Sequence, residues 1–207
     1  MKVILLTENV PPVFFPAAEC VVVRTVEELE RYRGGDLYID LDFTMQEARL
    51  SALSGMLPAP VMVNAVLNTI GEIGRPFIRI NGWPGMLERT VHELVVPGAP
   101  VAVQVEQIYE KLGWSFRLAP DIPGMITARI LAVLINEAWY TWQEGVSSKE
   151  EIDTAMKLGT NYPMGPFEWG DHIGLHRVVG LLDVLSETEP RYIAAKSLKK
   201  AGSGIKI

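Results

Sequence analysis

The chain has 207 residues, 48% of them hydrophobic and 21% charged, with a net charge of −6. At this size a chain buries about two-thirds of its unfolded surface, enough for one large domain or two small ones without staples. The acidic balance speaks against a nucleic-acid groove or an anionic membrane surface, no apolar run is long enough to span a bilayer, and the single cysteine, Cys20, excludes an intramolecular disulfide and suits a reducing, cytoplasmic compartment.

The opening Met1 to Glu8 has only a short apolar run and no small-residue cleavage site, so no secretory signal is expected. Val3 to Leu6, Cys20 to Val23 and Leu37 to Leu41 are β-branched or apolar runs of strand length, and Cys20 reads as a small core residue within one of them. Pro60 to Val66, Phe77 to Ile80 and Val91 to Val96 add three further strands. Helical stretches are predicted at Thr25 to Arg33, Thr44 to Met56 and Val101 to Leu112. This alternation implies a mostly parallel sheet over residues 1–120. From about Pro120 the texture changes, and residues 121–207 read as helical throughout. Asp121-Ile122-Pro123-Gly124 has the composition of a helix start, an acceptor followed by a proline. Met125 to Gln143 is apolar on most faces, as in a helix buried in a core or an interface, and Gly145 ends it. Ser148-Lys149-Glu150-Glu151 forms a capping box whose helix runs to about Leu158 and stops at Gly159. After the breaker Asn161 to Pro166, helices are predicted at Phe167 to His172 and Leu175 to Ser186.

Chemistry-bearing patterns are sparse. A dinucleotide-binding unit needs glycines directly after its first strand, so that the backbone can approach a pyrophosphate. Here Thr7-Glu8-Asn9-Val10-Pro11-Pro12 follows that strand, and the first glycine of the chain is Gly34. Phe14 and Phe15 are bulky enough to fill the space that a cofactor would take. His172 and His176 have the four-residue spacing of metal ligands on one helix face, but Gly174 lies between them and no third ligand is evident, so no metal site is expected. His92 and Glu93 are neighbours on a predicted strand and point to opposite faces, which excludes a dyad. The five tryptophans are scattered and read as anchors of a core or an interface.

The helical half resembles the C-terminal domain of the 3-hydroxyacyl-CoA dehydrogenases. The matching stretches are Asp121-Ile122-Pro123-Gly124-Met125-Ile126, Asn136-Glu137-Ala138, Glu144-Gly145-Val146 and Asp153-Thr154-Ala155-Met156-Lys157-Leu158-Gly159. Tyr162-Pro163-Met164-Gly165-Pro166-Phe167-Glu168 follows, then Asp171 and Ile173-Gly174-Leu175, in matching order over about 55 residues. The resemblance implies an α/β plus all-α protein. A truncated Rossmann-like parallel-sheet domain over 1–120, lacking a GxGxxG loop, precedes a helical dimerisation domain over 121–207.

Carried over residue by residue, the family's catalytic histidine falls on Asn81, or on Ile80 with the gap placed differently, and its glutamate partner on Glu93. The serine that contacts the substrate oxygen becomes Val66, and the asparagine before the retained Arg129 becomes Ala128. An asparagine amide does not titrate in the usable range and cannot shuttle a proton. The resemblance therefore implies a family protein of fatty acid metabolism, degenerate in its catalytic set, that forms a homodimer and binds an acyl-CoA or a related small molecule. No cofactor is expected, or NAD if the family activity survives, and neither nucleic acid nor membrane is an expected partner. The alternatives are a regulatory or structural subunit pairing through the helical domain, and an active enzyme of altered chemistry with Glu93 as its base.

Overall fold

The computed structural model describes residues 1–8 and 18–204. The segment carrying Phe14 and Phe15 lies outside them. The chain divides into two compact units, Met1–Met125 and Ile126–Ile207.

Unit 1 contains strands β1 (Lys2–Leu6), β2 (Glu19–Val23), β3 (Leu37–Asp40), β4 (Val61–Val63), β5 (Ile78–Ile80), β6 (Val91–Val95) and β7 (Ser115–Leu118). Its helices are α1 (Val26–Leu29), extended by a 3-10 turn, α2 (Glu47–Ser54), α3 (Ile70–Ile73) and α4 (Ala99–Leu112). The strands form one sheet in the order β2-β1-β3-β4-β5-β6-β7, with every pair parallel except β5 and β6. This is a Rossmann-like sheet, and its strand order reverses between β1 and β3, since β2 lies on one side of β1 and β3 to β7 on the other.

Both faces of the central strands are covered, as parallel strands require. The period of two sends Ile4, Leu6, Tyr38, Val61 and Val63 against Leu29, Leu50, Leu53 and Ile73 on one side. Val3, Leu5, Ile39, Met62, Ile80 and Leu94 pack on the other side against Val105, Ile108, Tyr109 and Leu112 of α4. α4 carries a proline in its first turn and ends at Gly113, whose φ of 67° is the left-handed cap conformation.

Cys20 is exposed, contrary to the core reading, because β2 is the edge strand and shows one face to solvent. His92 faces α4 instead. Its Nε2 lies 3.2 Å from the Leu87 carbonyl and its Nδ1 3.2 Å from the Tyr109 hydroxyl. The carbonyl can only accept, so Nε2 carries the proton and Nδ1 accepts from Tyr109. Burial pushes the imidazole below its ordinary value. A histidine depressed in this way binds fewer protons folded than unfolded, so its contribution to stability is present above the unfolded pKa of about 6.5 and is lost as pH falls below it. A pH series of thermal melts should show unit 1 losing stability below that value, and His92→Gln should flatten the slope; an unchanged slope would remove His92 as its source.

Unit 2 is helical: α5 (Thr127–Gln143), α6 (Lys149–Thr160), α7 (Pro166–Ile173), α8 (Leu175–Ser186) and α9 (Lys196–Gly202). Its core joins Leu131, Ile135 and Trp139 of α5 with Phe167, Trp169 and Ile173 of α7, Leu181, Leu182 and Leu185 of α8, and Leu198 of α9. The predicted helix start at Asp121 to Gly124 is a loop. α5 begins at Thr127, after Gly124 at φ 80° and Met125 at φ 49°. The capping box at Ser148 and Glu151 is present, but α6 passes through Gly159 and ends at Asn161, at φ 56°. His172 and His176 sit on successive helices, α7 and α8, separated by Gly174, so they do not share one helix face.

Candidate functional site

In an open α/β sheet, ligands meet the carboxyl ends of the strands near the point where strand order reverses. Here that region is built from the ends of β1, β3, β4 and β5. Just past β1, the Glu8 amide donates to the Asp42 carboxylate at 2.7 Å, and Arg24 donates to the Glu8 carbonyl at 3.1 Å. At the end of β3 the fully buried Asp40 receives a two-pronged bond from Arg49, both contacts 2.6 Å, and accepts the Asp42 amide at 3.1 Å. Burial is the largest influence on the Asp40 carboxyl and pushes it up, opposed by Arg49.

Past β4, Asn64 bridges its neighbours. Its Nδ2 donates to the Leu41 carbonyl at 3.0 Å, and its Oδ1 accepts the Gly82 amide at 2.9 Å. Gly82 has to lack a Cβ, because one built there would lie 2.9 Å from the Asn64 side chain. Asn81 is 4% exposed and follows β5, where its Oδ1 accepts the Trp83 amide at 3.3 Å.

The antiparallel register of β5 and β6 pairs Arg79 with Val95 and Ile80 with Leu94, and the Asn81 amide lies 3.4 Å from the Glu93 carbonyl. Residues opposite one another in such a pair project to the same face. Asn81 and Glu93 therefore share a face, while Ile80 and Leu94 project into the core under α4. Of the two sequence placements, the one at Asn81 is the one that lies across from Glu93. Val66 and Ala128 are both buried, and Arg129 lies over the Tyr192 ring at 5.6 Å. Among the described residues no group of three or more His, Cys, Asp or Glu side chains is placed to hold a metal.

Sequence reasoning passed over Arg79, the largest fully buried side chain of unit 1. Its Nε donates to the Ala65 carbonyl at 2.9 Å, its Nη2 to Ile122 at 3.1 Å and Val66 at 3.3 Å, and its Nη1 to Asp121 at 2.6 Å. Both Asp121 oxygens also lie 3.0 Å from the Ile70 amide at the start of α3. Arg79 thus fixes the loop from Asn64 to Val66 and the segment from Asp121 to Gly124. The available signal was an arginine flanked by isoleucines inside a strand, a charge that must find partners if the strand is buried.

The residues that carry the resemblance in unit 2 serve its backbone. Asn136 of α5 donates to the Ile193 carbonyl at 2.9 Å and accepts the Ala195 amide at 2.8 Å. α7 starts at Gly165, which has no side chain to cap it. Asp153 of α6 takes that role across 12 or more residues of sequence: its carboxylate accepts the Phe167 amide at 2.8 Å and the Glu168 amide at 3.2 Å. Glu168 reaches back to the Gly165 amide at 2.9 Å and pairs with Lys157.

Residues 124–203 match the family model for the 3-hydroxyacyl-CoA dehydrogenase C-terminal domain. The chain is 34% identical over 131 residues to 3-hydroxyadipyl-CoA dehydrogenase from Escherichia coli, which covers 62% of this chain and 27% of that protein. It is 32% identical over 172 residues to a probable 3-hydroxybutyryl-CoA dehydrogenase from Deinococcus radiodurans, covering 82% of this chain and 61% of that one. The crystal structure of (S)-3-hydroxybutyryl-CoA dehydrogenase from Ralstonia eutropha superposes with a TM-score of 0.72 at 25% identity, over 90% of this chain and 71% of that chain. The chain spans between 27% and 61% of the length of these two curated relatives.

Proposed function

From the match of residues 124–203 to the 3-hydroxyacyl-CoA dehydrogenase C-terminal domain, we propose that the chain is a member of that family that binds an acyl-CoA or a related thioester without carrying out NAD-dependent hydride transfer by proton abstraction. The observation that carries this reading is the pairing of Asn81 with Glu93. The position across from the glutamate holds an amide that cannot take a proton, and its oxygen is already committed to the Trp83 amide.

The surroundings of β1 support the same reading, because they do not fit a dinucleotide. A pyrophosphate wants backbone N–H groups presented by glycines and a positive field. The Glu8 amide instead faces the Asp42 carboxylate, and Glu8 and Asp42 are both acidic.

The test is a thermal-shift series with acyl-CoAs of increasing chain length. A saturable stabilisation at one or more lengths is expected, and no shift at any length would end the binding reading. Turnover of a 3-hydroxyacyl-CoA that Glu93→Gln abolished would favour an enzyme with altered chemistry instead.

A homodimer formed through α5 belongs to the same proposal. Ile126, Ile130 and Val133, at the start and along one side of that helix, are 43%, 56% and 40% exposed, a stripe at helical spacing that a second copy would bury. Sedimentation showing only monomer at micromolar concentration would remove that part. Among the described residues no helix is long and apolar enough to cross a membrane, and a cytoplasmic setting is proposed from the lone Cys20.

A further inference from the structure

Lys149, the first residue of α6, has an unusual environment. Its Nζ lies 4.2 Å from the ring centres of both Trp139 and Trp142, and 5.4 Å from that of Phe167. The two indoles are nearly perpendicular, at 87° with centroids 5.4 Å apart, and Phe167 closes a third side, 5.4 Å from Trp139 and tilted by 52°. Trp139 and Phe167 are 3% and 6% exposed, so two of the three walls are fixed in the core of unit 2. Trp142 and Lys149 are half-buried and form the open side.

Nothing else accounts for the position of this ammonium. Among the described residues, no carboxylate lies within ion-pair distance of it. The first turn of a helix is also the end that its dipole makes unfavourable for a cation. The rings are what hold it there, through attraction between the positive charge and their π faces.

A box of this kind suits a methylated ammonium better than a lysine. A primary ammonium is compact and strongly hydrated, and it gives up water to sit among carbon atoms. A quaternary ammonium is larger, weakly hydrated and apolar at its surface. Lys149 can also leave without disturbing the backbone, because its long stem starts at the helix end and regains rotamer freedom in solvent.

We propose that Trp139, Trp142 and Phe167 form a binding site for a quaternary ammonium group, with Lys149 as its built-in, displaceable occupant. The site lies wholly within unit 2 and is independent of the acyl-CoA reading.

A tethered lysine competes at an effective concentration on the order of millimolar, so removing it should expose the site. In Lys149→Ala, tetramethylammonium should quench tryptophan fluorescence saturably and raise the melting temperature, with half-saturation at least tenfold lower than in the unmodified chain. Choline should act as tetramethylammonium does, its uncharged isostere 3,3-dimethyl-1-butanol should do neither, and adding Trp142→Leu should abolish the response. A folded Lys149→Ala that shows no saturable response, or that responds equally to the neutral isostere, overturns the proposal. If Lys149→Ala does not fold, Lys149→Met keeps most of the stem packing and is tested in the same way. Failure of both to fold also contradicts the proposal, since an occupant able to leave cannot be essential to folding.

Discussion

Replacing Asp153 with alanine is expected to destabilise unit 2 more than any other single change in its polar network. The 7%-exposed carboxylate accepts two backbone amides in the first turn of α7, where Gly165 offers no cap of its own. Hydrogen bonds to a charged group contribute about 1.5–3 kcal/mol each, and orphaned buried donors add a desolvation cost, so a loss of roughly 3–5 kcal/mol is expected. For a unit of this size that corresponds to a fall in Tm of roughly 12–40 °C if it melts on its own.

Gly165→Ala should approach the same result by another route. Its backbone φ of −73° suits any residue, so conformational freedom is not why glycine stands there. The reason is space, because a Cβ at Gly165 would overlap the Asp153 carboxylate and drive it off the amides. Differential scanning calorimetry of both variants checks the account. A Gly165→Ala protein that melts with the unmodified chain would contradict it.

The second large effect is expected at Arg79. Asp121→Ala leaves a fully buried guanidinium without its counter-ion, and removing one partner of a buried pair typically costs about 3–5 kcal/mol. Asp121 keeps 36% of its side chain exposed, so water can reach the vacated oxygens, and the expected loss is nearer ~2–3 kcal/mol. Arg79→Met alone removes the donor to three carbonyls and orphans those that water cannot reach. The double variant Arg79→Met with Asp121→Ala should be more stable than the sum of the two single losses predicts, because no unpaired charge remains. Chemical denaturation of the three variants as a cycle measures this. Simple additivity would mean that Arg79 and Asp121 act independently.

These two networks mark where sequence reading stopped. The strands of unit 1 were legible because buried parallel strands are continuous apolar runs, and Val3 to Leu6 and Val61 to Val63 are such runs. β7 was not, since Ser115-Phe116-Arg117-Leu118 alternates over only four residues of a largely exposed edge, too short a run to stand out. α3 is a single turn, although Thr69 and Glu72 form the same kind of capping box that made α6 visible. Cys20 was misplaced because its neighbours are apolar whether the strand is central or at the edge; strand order decides, and strand order is not local. Asp121 looked like a helix cap because an acidic residue before a proline usually is one. Its partner is 42 residues away, and nothing local announces it.

The candidate site divides in the same way. Glu93 and the alternatives Asn81 and Ile80 were readable by resemblance, but only strand register sets Asn81 across from Glu93 and sends Ile80 into the core. In unit 2, Asn136, Asp153 and Glu168 satisfy backbone groups, and Gly165 makes room for one of those contacts. The likeness to dehydrogenases over residues 124–203 therefore rests on residues that build a helical scaffold. A chain can keep such a scaffold while the chemistry of its sheet changes, because fold and reaction are carried by different residues.

The most direct test of that separation is a titration of the folded protein with NADH, followed by the fluorescence of the nucleotide. A linear signal with no saturation and no spectral shift is predicted, with the Glu8 amide held by Asp42 where a pyrophosphate would need it. A saturable, blue-shifted enhancement that NAD competes away would contradict the account and restore a dinucleotide to the sheet.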